Sequence, residues 1–278
     1  MKTSFTKWQG CGNDFILLED MEGRLTAPGE LSKRLCDRHF GIGGDGLILL
    51  LPSEKADIRM RILNADGSEA EMCGNGIRCF ARLAYERGLV PAAFTAETGA
   101  GILRPEVQLE GGHVTGVRVD MGQPVLEAER VPIAGFGARR VQEEPLEVLD
   151  RSFSITGVSM GNPHCVIFLE DLTDFPIGKY GPALETHAWF PRRTNVEFAV
   201  VRDRQHIRMR VWERGAAVTM ACGTGACATL VAASLTGRTD RAAEVALDGG
   251  RLFIEWAADD HIYMTGPAEM TFAGETEI

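Results

Sequence analysis

Met72-Cys73-Gly74-Asn75-Gly76-Ile77-Arg78-Cys79 returns later in the chain as Ala221-Cys222-Gly223-Thr224-Gly225-Ala226-Cys227. The first cysteine and the two glycines of each segment coincide at a displacement of 149 residues, from 73 to 222. Two further segments share that displacement: Gly12-Asn13 recurs as Gly161-Asn162, and Arg59-Met60-Arg61-Ile62 recurs as Arg208-Met209-Arg210-Val211. One short match is within chance. Three at a single gap-free offset mark two structurally equivalent halves.

Each half opens with its Gly-Asn turn and an apolar run, Phe15-Ile-Leu-Leu18 or Val166-Ile-Phe-Leu169, that reads as a buried strand. A helical or loop stretch, a further strand and the alternating Arg-Met-Arg strand lead to the Cys-Gly-x-Gly segment, where helical periodicity begins. Ile77, Phe80, Ala81, Ala84 and Tyr85 fall on one helical face, and Gly88 suits the residue just past the C-terminus. The partner stretch Ala226–Leu235 is apolar nearly all round, as expected of a helix wrapped by sheet, and Gly237 should end it. The segments from about Gly99 to Met121 and from Val245 to Phe272 are strand-like with glycine turns. The pattern predicts an α+β chain of two pseudo-symmetric domains, each a mixed or antiparallel sheet curled around a central helix that starts at a cysteine. The expected bounds are 1–122 and 123–266, with strand 267–278 returning to the first domain.

Composition narrows the function classes. An apolar fraction of 45% with 24% charged residues supports a packed core. The net charge of −10, without any basic run, makes nucleic acid and anionic membrane poor partners. The N-terminus lacks an apolar targeting region and the longest apolar run, around Leu47–Leu51, is too short to span a bilayer, so a cytoplasmic location is expected. Seven cysteines, an odd number, argue against a disulfide framework and for reduced thiols. Their spacing lacks Cys-x2-Cys or a following histidine pair, so no metal is expected. Gly41-Ile-Gly-Gly-Asp-Gly46 fits a dinucleotide pattern but follows a helix and precedes a strand, the reverse of the order that fold needs. With five lysines, none in a Schiff-base context, pyridoxal phosphate is not expected either.

Cys73 and Cys222 stand just ahead of helices whose first N–H groups lack intrahelical partners, a setting that suits both a carboxylate ligand and a thiolate. The helix contributes about 0.3–1 kcal/mol to the thiolate, less than the ~1.4 kcal/mol of one pKa unit. The thiol is therefore only partly ionised near neutral pH. A two-base racemase needs that state, because one cysteine must take a Cα proton as thiolate while the other returns one as thiol. Two halves related by approximate symmetry supply two near-equivalent cysteines facing each other. Cys11, Cys36, Cys79, Cys165 and Cys227 read as small buried hydrophobes.

Gly10-Cys-Gly-Asn-Asp-Phe15, Asn64-Ala-Asp-Gly-Ser68, Met72–Cys79, Ser159-Met-Gly-Asn-Pro-His164, Arg193-Thr-Asn-Val-Glu197, Trp212-Glu-Arg-Gly215 and Ala221–Cys227 resemble diaminopimelate epimerase from end to end. The resemblance implies cofactor-independent interconversion of LL- and meso-diaminopimelate in lysine and cell-wall precursor synthesis, and a homodimer. Carried over by position, it implies that Cys73 and Cys222 are the acid/base thiols and that the backbone at Gly74-Asn75 and Gly223-Thr224 holds the reacting carboxylate. Asn13, Asn64, Asn162, Asn195 and Arg214 would grip the substrate, Glu213 would stand near its ammonium, and His164 would tune the thiols. The chain departs from some members at Gly46, where they carry glutamine, which loosens the inference about the substrate's distal end. Other readings are another cofactor-independent amino-acid racemase on the same fold and a non-catalytic small-molecule-binding protein.

Overall fold

The computed structural model describes residues 2–277. Along the chain come β1 (Lys2–Gly10), β2 (Asn13–Glu19), α1 (Pro28–Cys36), β3 (Gly46–Leu51), β4 (Ile58–Asn64), β5 (Glu69–Ala70) and α2 (Gly74–Glu86). They are followed by β6 (Ala96–Thr98), β7 (Gly101–Leu103), β8 (Glu106–Glu110) and β9 (His113–Asp120). The second half holds β10 (Glu144–Val148), β11 (Arg151–Ser159), β12 (Pro163–Phe168), α3 (Ile177–Glu185), β13 (Asn195–Asp203), β14 (His206–Glu213), β15 (Ala217–Thr219) and α4 (Gly223–Leu235). The chain ends with β16 (Ala242–Ala246), β17 (Arg251–Trp256), β18 (Ile262–Gly266) and β19 (Glu269–Glu277). It divides into two compact units, one of residues up to Asp120 rejoined from Thr265 onward, the other Met121–Met264.

The repeat offset carries through to the elements without a gap. β1, α1 and α2 have the same lengths as β11, α3 and α4, and each pair starts 149 residues apart. Pairing repeats too: β2 runs parallel to β3 with Phe15 opposite Gly46, and β12 runs parallel to β13 with His164 opposite Asn195. Within the first unit the sheet order is β19-β1-β2-β3-β4-β6-β7, with β5 against β4 and a β8/β9 hairpin. Within the second, strands β10 to β14 are followed by β16, β17 and β18, with β15 against β14. The two sheet-rich units with few helices match the α+β architecture expected from sequence.

Both faces of each central sheet are covered, which explains the unbroken apolar run in β3. Leu47 and Leu49 pack toward α1 with Ile16, Leu18 and Leu35, while Ile48 meets α2 at Gly76. In the second unit Val196 and Phe198 of β13 join Leu184 of α3 in one core, and α4, apolar on every side, is buried along most of its length. Helices α2 and α4 are the central helices anticipated from the sequence, and α1 and α3 form where each half was expected to carry a helical or loop stretch. Helices α2 and α4 end alike. Gly88 (φ 69°) and Gly237 (φ 71°) take the left-handed conformation, their N–H groups bond Tyr85 O and Ser234 O, and those of Leu89 and Arg238 reach back to Ala84 O and Ala233 O.

Candidate active site

Cys73 and Cys222 are the N-caps of α2 and α4, in extended conformations (φ −140°, ψ 121° and φ −128°, ψ 109°). The residues that cap helices well are Ser, Thr, Asp and Asn, so helix stability alone does not account for cysteine at both places. Cys73 is half-buried and Cys222 buried. Cys11, Cys36, Cys79, Cys165 and Cys227 are all buried, as expected of small hydrophobes.

Around Cys73, three side chains named from sequence come together. The thiol donates to Asn13 Oδ1 at 3.6 Å, and Asn75 Nδ2 donates to the same oxygen at 3.2 Å. Asp45 takes the other end of the Asn13 amide, Nδ2 to Oδ2 at 2.7 Å, which turns its oxygen toward Cys73. Arg38 bridges Asp45 and Asp14, and Lys7 pairs with Asp14. Burial alone would raise the pKa of Asp14, but Arg38 and Lys7 hold it well below the usual carboxylate range. Beneath the helix start lies Arg78, a fully buried arginine that donates to Gly74 O at 2.8 Å and to Asn75 Oδ1 at 2.9 Å. Asn64 stands apart from this group: it is exposed and bonds Ser68. Gly46 opens β3 rather than lying in the turn, and a Cβ there would meet Leu63 O at 2.8 Å. Backbone packing therefore excludes a side chain at Gly46 unless β4 shifts.

Around Cys222 the frame is the same and the chemistry differs. Gly225 N–H donates to Cys222 Sγ at 3.4 Å, and Thr224 Oγ1 lies 3.6 Å from it. Asn162 Nδ2 donates to Thr224 Oγ1 at 3.3 Å, while Asn162 Oδ1 faces His164 Nε2 at 2.9 Å. His164 is fully buried and its Nδ1 lies 2.7 Å from Glu197 Oε1. Thr219 Oγ1 donates to Glu213 Oε1. Burial pushes the Cys222 thiol well above its usual range, Glu213 and Glu197 add to that, and the hydrogen bonds of Thr224 and Gly225 oppose it. Burial likewise raises the Glu213 carboxyl, with Thr219 pulling down and Glu197 pushing up. Asn195 is buried with both ends of its amide occupied, Nδ2 on Pro163 O and Oδ1 receiving Arg214 N–H at 2.9 Å. It thereby holds the backbone at Arg214, whose own side chain is exposed.

Four supporting residues escaped the reading of the sequence. Glu197 interrupts the apolar run of β13, and Arg78 interrupts a helix otherwise buried at that level; each break was a usable signal. Glu185 at the end of α3 accepts from Trp212 Nε1 (2.7 Å) and Gly215 N (3.1 Å), and Asp45 orients Asn13, but neither has a local pattern to flag it. Among the described residues no cluster of three or more His, Cys, Asp or Glu is arranged to hold a metal ion, and no helix is long and apolar enough to cross a membrane.

A family model described as diaminopimelate epimerase matches residues 5–127 and 156–271. The diaminopimelate epimerase of Moorella thermoacetica is 57% identical over 276 residues, covering 98% of each chain, and that of Methanococcus maripaludis is 50% identical over 276 residues, covering 99% of each. Among solved structures, a phenazine biosynthesis protein of the PhzF family from Bacillus anthracis matches with a TM-score of 0.72 at 21% identity over 100% of both chains. A hydroxyproline epimerase from Agrobacterium vitis matches with a TM-score of 0.67 at 16% identity, over 99% of this chain and 92% of that one. At such identities the likeness is one of fold. The sequence relatives carry the assignment, and the chain belongs to the diaminopimelate epimerase family.

Proposed function

We propose that the chain epimerises LL-2,6-diaminopimelate to the meso form, without a cofactor, through Cys73 and Cys222 acting as paired base and acid in lysine and cell-wall precursor synthesis. The observation that carries this reading is that, of seven cysteines, these two alone cap helix N-termini, at equivalent places of the repeat. One thiolate removes the Cα proton while the opposite thiol delivers a proton to the other face, so inversion follows and the cysteines exchange roles in the reverse direction. The N–H groups at Gly74-Asn75 and Gly223-Thr224 hold the reacting carboxylate, whose charge the helix N-termini favour. Asn13 and Asn162 contact the substrate near the two sulfurs, Glu213 receives its ammonium, and His164 acts on the thiols from behind Asn162. Asn64 and Arg214 take the distal end, with Asn195 holding the Arg214 backbone. We place the protein in the cytoplasm, where thiols stay reduced, and infer a homodimer from the family resemblance.

The test is proton exchange. Reduced protein incubated with LL-diaminopimelate in D2O should produce the meso isomer carrying deuterium at the inverted carbon. Cys73→Ala and Cys222→Ala should each abolish inversion, and mild oxidation should inactivate reversibly because a disulfide would consume both bases. Exchange on another amino acid alone, or full activity of either alanine variant, would refute the assignment.

A further inference from the structure

The most demanding feature of the second unit is a carboxylate and an imidazole sealed from water. His164 and Glu197 are both fully buried, and Glu197 Oε2 makes no hydrogen bond among the described residues. From Glu197 a single row of contacts runs through His164 (2.7 Å), Asn162 (2.9 Å) and Thr224 (3.3 Å) to Cys222 (3.6 Å).

Counting protons gives this row a direction. The Asn162 oxygen facing His164 can only accept, so Nε2 carries a proton. A second proton lies between Nδ1 and Oε1, since two lone pairs do not approach to 2.7 Å. The pair thus holds two protons and no net charge. The reverse arrangement would turn the Asn162 amide over, strip Nε2 of its proton and leave a net negative charge on a dry pair with an unpartnered oxygen. An unpaired buried charge costs far more than the N-terminus of α4 can offset.

The other half of the repeat shows that the arrangement is specific to this site. Phe15 and Ile48 occupy the positions equivalent to His164 and Glu197, and Asn13 is turned the opposite way by Asp45, oxygen toward Cys73. The α4 helix also keeps a space for the carboxylate. A Cβ on Gly225 would lie 2.8 Å from Glu197 Oε1, whereas on the equivalent Gly76 it would meet Ile48 and Ile62.

We propose that Glu197 is a positioning residue for the epimerisation: by fixing the Nε2–H form of His164, it turns the Asn162 amide so that its N–H groups face Thr224 and the bound substrate. The proposal rests on the function given above. It is tested first by a measurement that needs no turnover, 15N NMR of histidine-labelled protein with His164 assigned by a His164→Gln control. The ring should carry its proton on Nε2 in wild type and in Glu197→Gln, whose amide can donate to Nδ1, and should lose that enforced form in Glu197→Met. With LL-diaminopimelate, Glu197→Met should lose about 10- to 100-fold in kcat/KM, mainly through KM, and Glu197→Gln should recover it to within about threefold of wild type. An unprotonated Nε2 in wild type overturns the proposal, as does normal kcat/KM in Glu197→Met or equal damage in both variants. Should thermal unfolding show Glu197→Met to be unfolded, the wild-type spectrum and Glu197→Gln still decide. An inactive wild type with Nε2 protonated would instead count against the epimerase reading.

Discussion

The buried cysteines should leave their mark on how stability depends on pH. Cys79 is sealed within α2, and its thiol is pushed up to about 12 from a usual 9.0, first by burial. The folded state therefore keeps the Cys79 proton where the unfolded chain has released it. The sign follows: this contribution to stability is complete below pH 9 and is lost as pH climbs toward 12, at up to ~1.4 kcal/mol per unit. Cys11, Cys36, Cys165 and Cys222 are also shifted upward, with burial as the first cause, and act in the same direction. Urea unfolding at pH 8, 9.5 and 11 should show a steep alkaline loss, and Cys79→Ala should flatten it by roughly 1 kcal/mol per pH unit. An unchanged slope would mean that Cys79 is solvated in the native state. At this scale, residues identical between the halves were the legible ones. Cys73, Cys222, Asn13 and Asn162 announce themselves by recurring, whereas the chemistry that tells the halves apart lies at mismatched pairs such as Ile48 and Glu197. His164 was reached through family resemblance, and Glu197 only as the end of a matching segment without a role, because its partner is set by strand register rather than by neighbours in sequence.

Elements transmit the fold to the site through a few contacts that periodicity cannot disclose. Glycine-ended helices and apolar strands were readable because capping and burial act within a few residues. The role of α3 was not, since it depends on what crosses it. Gly181 on α3 lies against Trp212 of β14, and a Cβ there would come within 2.6 Å of the indole Cγ and Cδ2. The same indole donates to Glu185, whose other oxygen holds Gly215 N–H, so α3 fixes the end of β14 that carries Glu213 and Arg214. Gly181→Ala gains up to about 1 kcal/mol of helix propensity against overpacking of about 1–3 kcal/mol. A net loss of stability is expected, lowering Tm by a few degrees, at roughly 2–4 °C per kcal/mol for a unit of this size. Activity should fall with it, and tryptophan fluorescence should shift as Trp212 is displaced. A variant with wild-type Tm and emission would show that α3 adjusts freely, and would remove its claim to hold the Glu213–Arg214 turn.

At the scale of the whole molecule, the chain path makes the first unit depend on residues that arrive last. The second unit is continuous in sequence, while the first needs the segment from Thr265 onward. Strand β19 pairs antiparallel with β1 from Lys2 opposite Glu277 to Gln9 opposite Glu269, the place that β10 fills beside β11 in the other half. Its approach also serves the candidate site, because Arg78 Nε donates to Pro267 O at 3.1 Å and Arg82 Nη1 to Ala268 O at 2.7 Å. Ending the chain at Gly266 would therefore do two things. It would turn β1 into a long exposed edge, a template for aggregation, and it would take from the buried Arg78 guanidinium an acceptor worth about 1–3 kcal/mol to leave unfilled. Together with the lost strand pairing and the cover that Phe272 gives Phe5, this approaches the whole stability of a domain, about 5–15 kcal/mol. The shortened chain is expected to lose one cooperative transition in calorimetry, aggregate on heating and show no epimerisation, whereas a fragment of residues 121–264 should still unfold cooperatively. If the shortened chain keeps the full unfolding enthalpy, β1 must find its support elsewhere, and the dependence of the Cys73 helix on the returning strand would be disproved.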